Sequence, residues 1–221
     1  MLFTMVISLY TSRVILQVLG ADDFGIYNVV GGVVVLFSFL TNAMTSSTQR
    51  FLNYNFGLKN ESKVSHIFNV SILTHFTIFL LVLLLSETVG LWFVMTQLNI
   101  PVGRETATMW VYQMSVVTTL IGIMVIPYRA SIIAAERMSI FAYVSILEVA
   151  LKLVVVLVLS YMSFDNLVMY SILLTLVAML NFFIYQIECR RKLSFTKYHF
   201  VWDKSQYKEM MLSLIHISEP T

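Results

Sequence analysis

Apolar residues fall in six long runs, roughly 1–18, 26–49, 66–95, 107–127, 140–161 and 166–188. Short polar breaks separate them: 20–25 (GADDFG), 53–65, 96–105 with Pro101, 128–139 and 162–166. A helix needs about 20 residues to cross the hydrocarbon of a bilayer, so each run is close to one crossing. The run 66–95 is long enough to tilt or to end outside the hydrocarbon. Pro127 brings no amide donor to a helix ladder and is expected to end the fourth helix. Arg129 and Arg137 then bracket the apolar 132–135, which reads as a short helix at the membrane surface. The pattern predicts an all-α integral membrane protein, a six-helix transmembrane bundle over 1–188.

Composition supports lipid as the solvent. Apolar residues make up 58% of the chain and charged residues 12%, against about half and a quarter in soluble domains. Mean hydropathy is +0.83. The net charge of +2 is uninformative, but charge placement is not. Eleven Lys and Arg fall in the second and fourth breaks and the tail: Arg50, Lys59, Lys63, Arg129, Arg137, Arg190, Arg191, Lys192, Lys197, Lys204 and Lys208. The first, third and fifth breaks carry only Arg104. Cytoplasmic loops carry the excess of Lys and Arg, so the basic side and both ends of the chain are expected in the cytoplasm. Asp22, Asp23 and Asp165 then face outward, and Trp92 and Trp110 flank the third break where an outer aromatic belt belongs. With Cys189 as the one cysteine, no internal disulfide forms.

Polar groups within apolar runs are costly, about 2.5–3.5 kcal/mol for a central Arg, Lys or Asp on insertion scales. They therefore mark faces turned to protein or water. On a helix of about 100° per residue, Asn28, Gly31, Gly32, Ser38, Asn42, Thr45, Ser46, Gln49, Arg50 and Asn53 share one stripe. Val33, Phe37, Leu40 and Met44 lie opposite and read as a lipid-like face. The stripe reads as a cavity lining. Close helix packing through small polar residues is the alternative, and it accounts less well for Asn28, Asn42, Gln49 and Arg50. Tyr10, Arg13 and Gln17 share a face of the first run, where Arg13 either lines the cavity or snorkels to the outer headgroups. Glu148 and Lys152, four apart, read as an ion pair that eases insertion, with a coupling role as the alternative. His75 reads as a packing residue and Glu87 as interfacial. No phosphate loop, zinc-protease helix or nucleophile elbow occurs. The reading is accordingly not an enzyme: no catalytic residue, no metal, no cofactor and no nucleic-acid partner.

The stretch 12–27 (SRVILQVLGADDFGIY), continued by 28–32 (NVVGG) and 48–52 (TQRFL), and again 133–138 (IAAERM) and 202–204 (WDK), resembles bacterial polysaccharide transporters. These are the Wzx-like O-antigen flippases of the multidrug/oligosaccharidyl-lipid/polysaccharide exporter superfamily, and the resemblance covers nearly all of 1–211. It implies a fold of two six-helix lobes, of which this chain matches the first. It implies transport of undecaprenyl-pyrophosphate-linked oligosaccharide across the bacterial inner membrane for lipopolysaccharide assembly, alongside glycan polymerase and glycosyltransferases. It also implies a cationic cavity for the pyrophosphate, to which Arg50, Asn28, Asn42, Gln49 and Arg13 contribute. The alternatives are a cation-coupled multidrug exporter of the same superfamily and a non-transporting scaffold of a glycan-assembly complex. An exporter favours intramembrane carboxylates, which are few here; a scaffold needs no wet face.

Residues 189–211 follow as a basic-aromatic segment with Phe195, Tyr198, Phe200 and Trp202. It is read as lying on anionic lipid, or simply as a cytoplasmic connector. Residues 212–221 (LSLIHISEPT) match a translated sequencing adapter and are set aside as non-native. The first residue lies inside an apolar run, so earlier residues are expected.

Overall fold

The computed structural model describes residues 2–35, 38–58, 60–161, 164–199 and 203–216, with side chains outside 2–4, 33–35, 38–43 and 213–216. The described residues form helices and no strand: α1 (Leu2–Val35), α2 (Ser38–Gly57), α3 (Glu61–Thr96), α4 (Glu105–Ala134), α5 (Met138–Leu159), α6 (Asn166–Lys192) and α7 (Lys204–His216). Of these, α3, α4, α5 and α6 are long and apolar enough to cross a membrane, as fits a membrane protein.

Local chemistry sets the helix ends. Asn60 accepts the Lys63 amide at 3.0 Å and starts α3. Asp165 accepts the amides of Leu167 and Val168 and starts α6, whose last turn carries Arg190, Arg191 and Lys192 against the negative end of the helix dipole. Helix α4 closes with Glu136 in the left-handed region (φ 57°). The Glu136 amide bonds the Ile133 carbonyl and the Arg137 amide the Ile132 carbonyl. This is the Schellman pattern that uses up free carbonyls and turns the chain.

Helix α4 is the central rod, packed most extensively on α6 and also on α1, α2 and α3. One core cluster joins Val30, Met44, Ile78, Val82, Val111, Val116 and Ile123. A second joins Leu52, Phe68, Tyr128, Ile132, Tyr185 and Phe195. A third joins Ile15, Val155, Val156, Tyr170 and Val177.

The elements depart from the sequence reading in four places. The expected loop at 20–25 is a single break within α1: Gly20 (φ 79°, ψ 172°) occupies a backbone region open essentially to glycine alone, and helix resumes at once. The expected second crossing, 26–49, is thus shared between the end of α1 and α2, which runs on to Gly57. Pro127 does not end the fourth helix but sits inside α4, which also absorbs the expected surface helix at 132–135. The carbonyl of Pro127 accepts the Ser131 hydroxyl at 2.8 Å, and packing on both sides of α4 outweighs one lost ladder bond. Finally, Phe195 is buried in the second cluster, edge-on to Phe56 and Phe68. Tyr198 is exposed, and Phe200 and Trp202 lie outside the described residues.

Helix α3 carries a π-turn over Ser86–Gly90. Tyr112 of α4 donates its hydroxyl to the Ser86 carbonyl at 2.6 Å, which also accepts the Leu91 amide across the widened turn.

Candidate functional site

The polar stripe of the second run points outward. Met44, expected toward lipid, is fully buried in the core, so the apolar side of α2 faces the bundle. Asn28, Gly32, Ser46, Arg50 and Asn53 are exposed and Gln49 is half-buried. One edge of the stripe turns inward, where Thr45 accepts a hydrogen bond from Arg129 at 3.2 Å. Asn28 donates to the Phe24 carbonyl at 2.7 Å. The guanidinium of Arg50 lies over the Phe51 ring at 5.6 Å. The side chain of Asn42 lies outside the described residues. Arg13 is exposed on α1, and so are Tyr10 and Gln17 on the same face. Arg13, Asn28 and Arg50 therefore occupy open faces rather than an enclosed pocket.

Glu148 and Lys152 do form the expected pair, Nζ to Oε1 at 2.6 Å. It belongs to a chamber of about 290 Å³ that also includes Tyr27, Thr118, Tyr170, Leu174 and Asn181. A neighbouring space of about 160 Å³ shares Tyr27, Thr118 and Leu174 and adds Gly31, Ser115 and Ser171. Four helices supply these groups, α1, α4, α5 and α6. Tyr27 and Tyr170 meet edge to face at 4.9 Å. Thr118 and Thr175 share a hydrogen bond of 3.0 Å, and Thr175 is placed by the Ser171 and Met114 carbonyls. Asn181 is only 7% exposed, and its Oδ1 has no hydrogen-bond partner.

The sequence reading took the charged pair but missed Tyr27, Thr118, Tyr170 and Asn181. Asn181 was visible as a lone amide in an apolar run. The others look like ordinary aromatic and β-branched residues of a membrane helix until the fold brings them together.

The first, third and fifth breaks meet at one end of the bundle. Arg104 reaches Asp165 with one terminal nitrogen and Asp23 with the other. Burial pushes the Asp23 carboxyl above its ordinary range, with Arg104 opposing the shift. At the other end His66 contacts Asp203 at 3.1 Å, Asn69 accepts the His199 amide at 2.8 Å, and Tyr207 donates to Thr77 at 3.1 Å. The backbone amide of Gln206, then His66, hold the Asp203 carboxyl below its ordinary range. Deeper in α3, His75 is buried and donates from Nδ1 to the Ser71 carbonyl at 2.7 Å, consistent with a packing role. Glu87 accepts from Gln113 at 3.2 Å. Among the described residues no group of three or more His, Cys, Asp or Glu is placed to hold a metal.

No protein-family model, curated protein or solved structure matches this chain.

Proposed function

We propose that this chain is a six-helix lobe of a bacterial inner-membrane flippase. Its cargo is an undecaprenyl-pyrophosphate-linked oligosaccharide, and it works against a second lobe across a shared wet cleft, with both ends of the segment in the cytoplasm. One observation carries the reading: Asn28 and Gly32 near the end of α1 and Ser46, Arg50 and Asn53 of α2 are exposed, while Met44 and Leu52 of α2 pack in the core. Hydrocarbon is a poor neighbour for such a face; a water-filled cleft is a good one. Arg50 offers the planar fork of donors that fits phosphate oxygens, which lysine does not reproduce. The motif resemblance names the cargo class. A cation-coupled exporter is less well supported, because Glu148, the carboxylate nearest the middle of α5, already holds Lys152.

The test uses the two-lobe protein that this reading implies, in a strain lacking its own flippase. Arg50→Ala should abolish surface glycan at unchanged protein level, and Arg50→Lys should restore it in part. Arg13→Ala should act similarly if Arg13 faces the cleft. Normal glycan in the Arg13→Ala, Arg50→Ala double variant, at equal expression, would sink this assignment.

A further inference from the structure

The chamber between α1, α4, α5 and α6 is a second polar site, separate from the open stripe. Its groups come from four helices and are of mixed character. Glu148 is an acceptor at the mouth, and Lys152, bonded to it through one N–H, keeps two more to give. Tyr27, Tyr170 and Thr118 add hydroxyls and aromatic edges. At depth, the Oδ1 of Asn181 is an acceptor with nothing to accept. A buried amide oxygen of this kind is normally satisfied by protein, ordered water or ligand.

The balance of charge and donors narrows the occupant. Glu148 and Lys152 cancel, so an isolated phosphate meets the carboxylate and an inorganic cation meets the ammonium. A hydroxyl suits both partners, since it donates to Glu148 or Asn181 and accepts from Lys152. Aromatic edges suit the apolar C–H surface of a saturated ring. Pockets for drug-sized ligands run from about 300 to 1,000 Å³, so a chamber of about 290 Å³ has room for one ring and not for a chain of them.

We infer that the chamber formed by Tyr27, Thr118, Glu148, Lys152, Tyr170 and Asn181 binds a neutral, hydroxyl-rich ring, a single sugar unit. The inference rests on the flippase reading for what carries that ring. It makes the chamber the place where a glycan is told apart by its hydroxyls, while the Arg50 face meets the charged linker.

The experiment reads binding rather than export. The purified chain in lipid nanodiscs is titrated with methyl α-D-glucopyranoside, methyl N-acetyl-β-D-glucosaminide and methyl α-L-rhamnopyranoside, and followed by saturation-transfer NMR. Sodium chloride and inorganic phosphate are run as separate probes. At least one glycoside should receive saturation from the protein. Asn181→Leu and Lys152→Met should each weaken that binding about tenfold, as loss of a hydrogen bond to a buried partner predicts. Lys63→Ala, away from the chamber, should leave it unchanged. If Asn181→Leu does not fold, Asn181→Ser keeps an acceptor too short to reach and should show the same loss. A glycoside affinity unchanged in both Asn181 variants overturns the inference. So does a sodium signal that depends on Glu148 in a protein that binds no glycoside. Export assays separate the two readings: glycan export without glycoside binding removes the chamber and keeps the flippase, and the reverse removes the flippase alone.

Discussion

At one end of the bundle, three chain connections meet on a single guanidinium: Arg104 holds Asp23 after the Gly20 break and Asp165 before α6. At the opposite end, α7 and the segment before it are held by many small contacts. These are the Phe195 ring among Phe56 and Phe68, the His66–Asp203 pair, the Asn69–His199 bond and the Tyr207–Thr77 bond. The first arrangement is cheap in residues but depends on one of them. The second spreads the load over apolar packing, two neutral hydrogen bonds and the His66–Asp203 contact, so loss of any one polar contact leaves the others in place.

The largest effect should come from the aromatic plug. Phe195→Ala empties a packed site, for which cavity costs run to about 3–5 kcal/mol; about 3 kcal/mol is expected because the ring lies near the edge of the bundle. Thermal unfolding in detergent measures it, and a loss below that of Arg104→Ala would show that the polar contacts alone hold this end.

Next comes Arg104→Ala, which leaves the buried Asp23 without its cation. Breaking a fully buried pair costs about 3–5 kcal/mol. Since Arg104 is about a third exposed, roughly 2 kcal/mol is expected. Adding Asp23→Asn should recover most of it, because the stranded charge is then gone. A double variant as unstable as the single one would mean that Arg104 acts through packing instead.

The smallest effect is on acid stability. The carboxyl of Asp203 is held below its ordinary value of 3.8 in the fold. Its contribution is therefore present above that value and lost as pH falls through and below it. Amide exchange at Ser205 and Gln206, corrected for intrinsic rate, should rise on acidification in the wild type and stay flat in Asp203→Asn. Asparagine keeps the helix cap without the titration. Asp23 shifts the other way, so its protonation favours the folded state. An Arg104 end that loosens first in acid would reverse the comparison.

The parts legible in the sequence are those that hydropathy and local chemistry decide. The polar breaks around Asn60, Pro101 and Asp165 do separate helices. The Glu148–Lys152 pair forms, because four-residue spacing on a helix leaves few alternatives. Of the stripe from Asn28 to Asn53, Asn28, Gly32, Ser46, Arg50 and Asn53 are exposed, but on two helices rather than the one crossing that was expected. Parts decided by tertiary packing were not legible. Pro127 continues a helix because neighbours hold both halves, and periodicity cannot report neighbours. Met44 turned out to face the core, since an apolar residue reads the same toward lipid and toward protein. The chamber joins Tyr27 to Tyr170 and Thr118 to Thr175 across long stretches of chain, and no local signal marks such pairs.

The π-turn of α3 has an evolutionary consequence. A Cβ on Gly90 would overlap the hydroxyl oxygen of Tyr112 yet stand 3.4 Å from the ring carbon that bears it. Alanine at 90 is thus blocked by one atom, and that atom is absent from phenylalanine. Tyr112→Phe, which sacrifices only the bond to the Ser86 carbonyl, opens the way to Gly90→Ala, whereas the opposite order passes through a clash. Changing Tyr112 first is therefore the less costly order, and among homologues Ala at 90 should occur more often with Phe than with Tyr at 112.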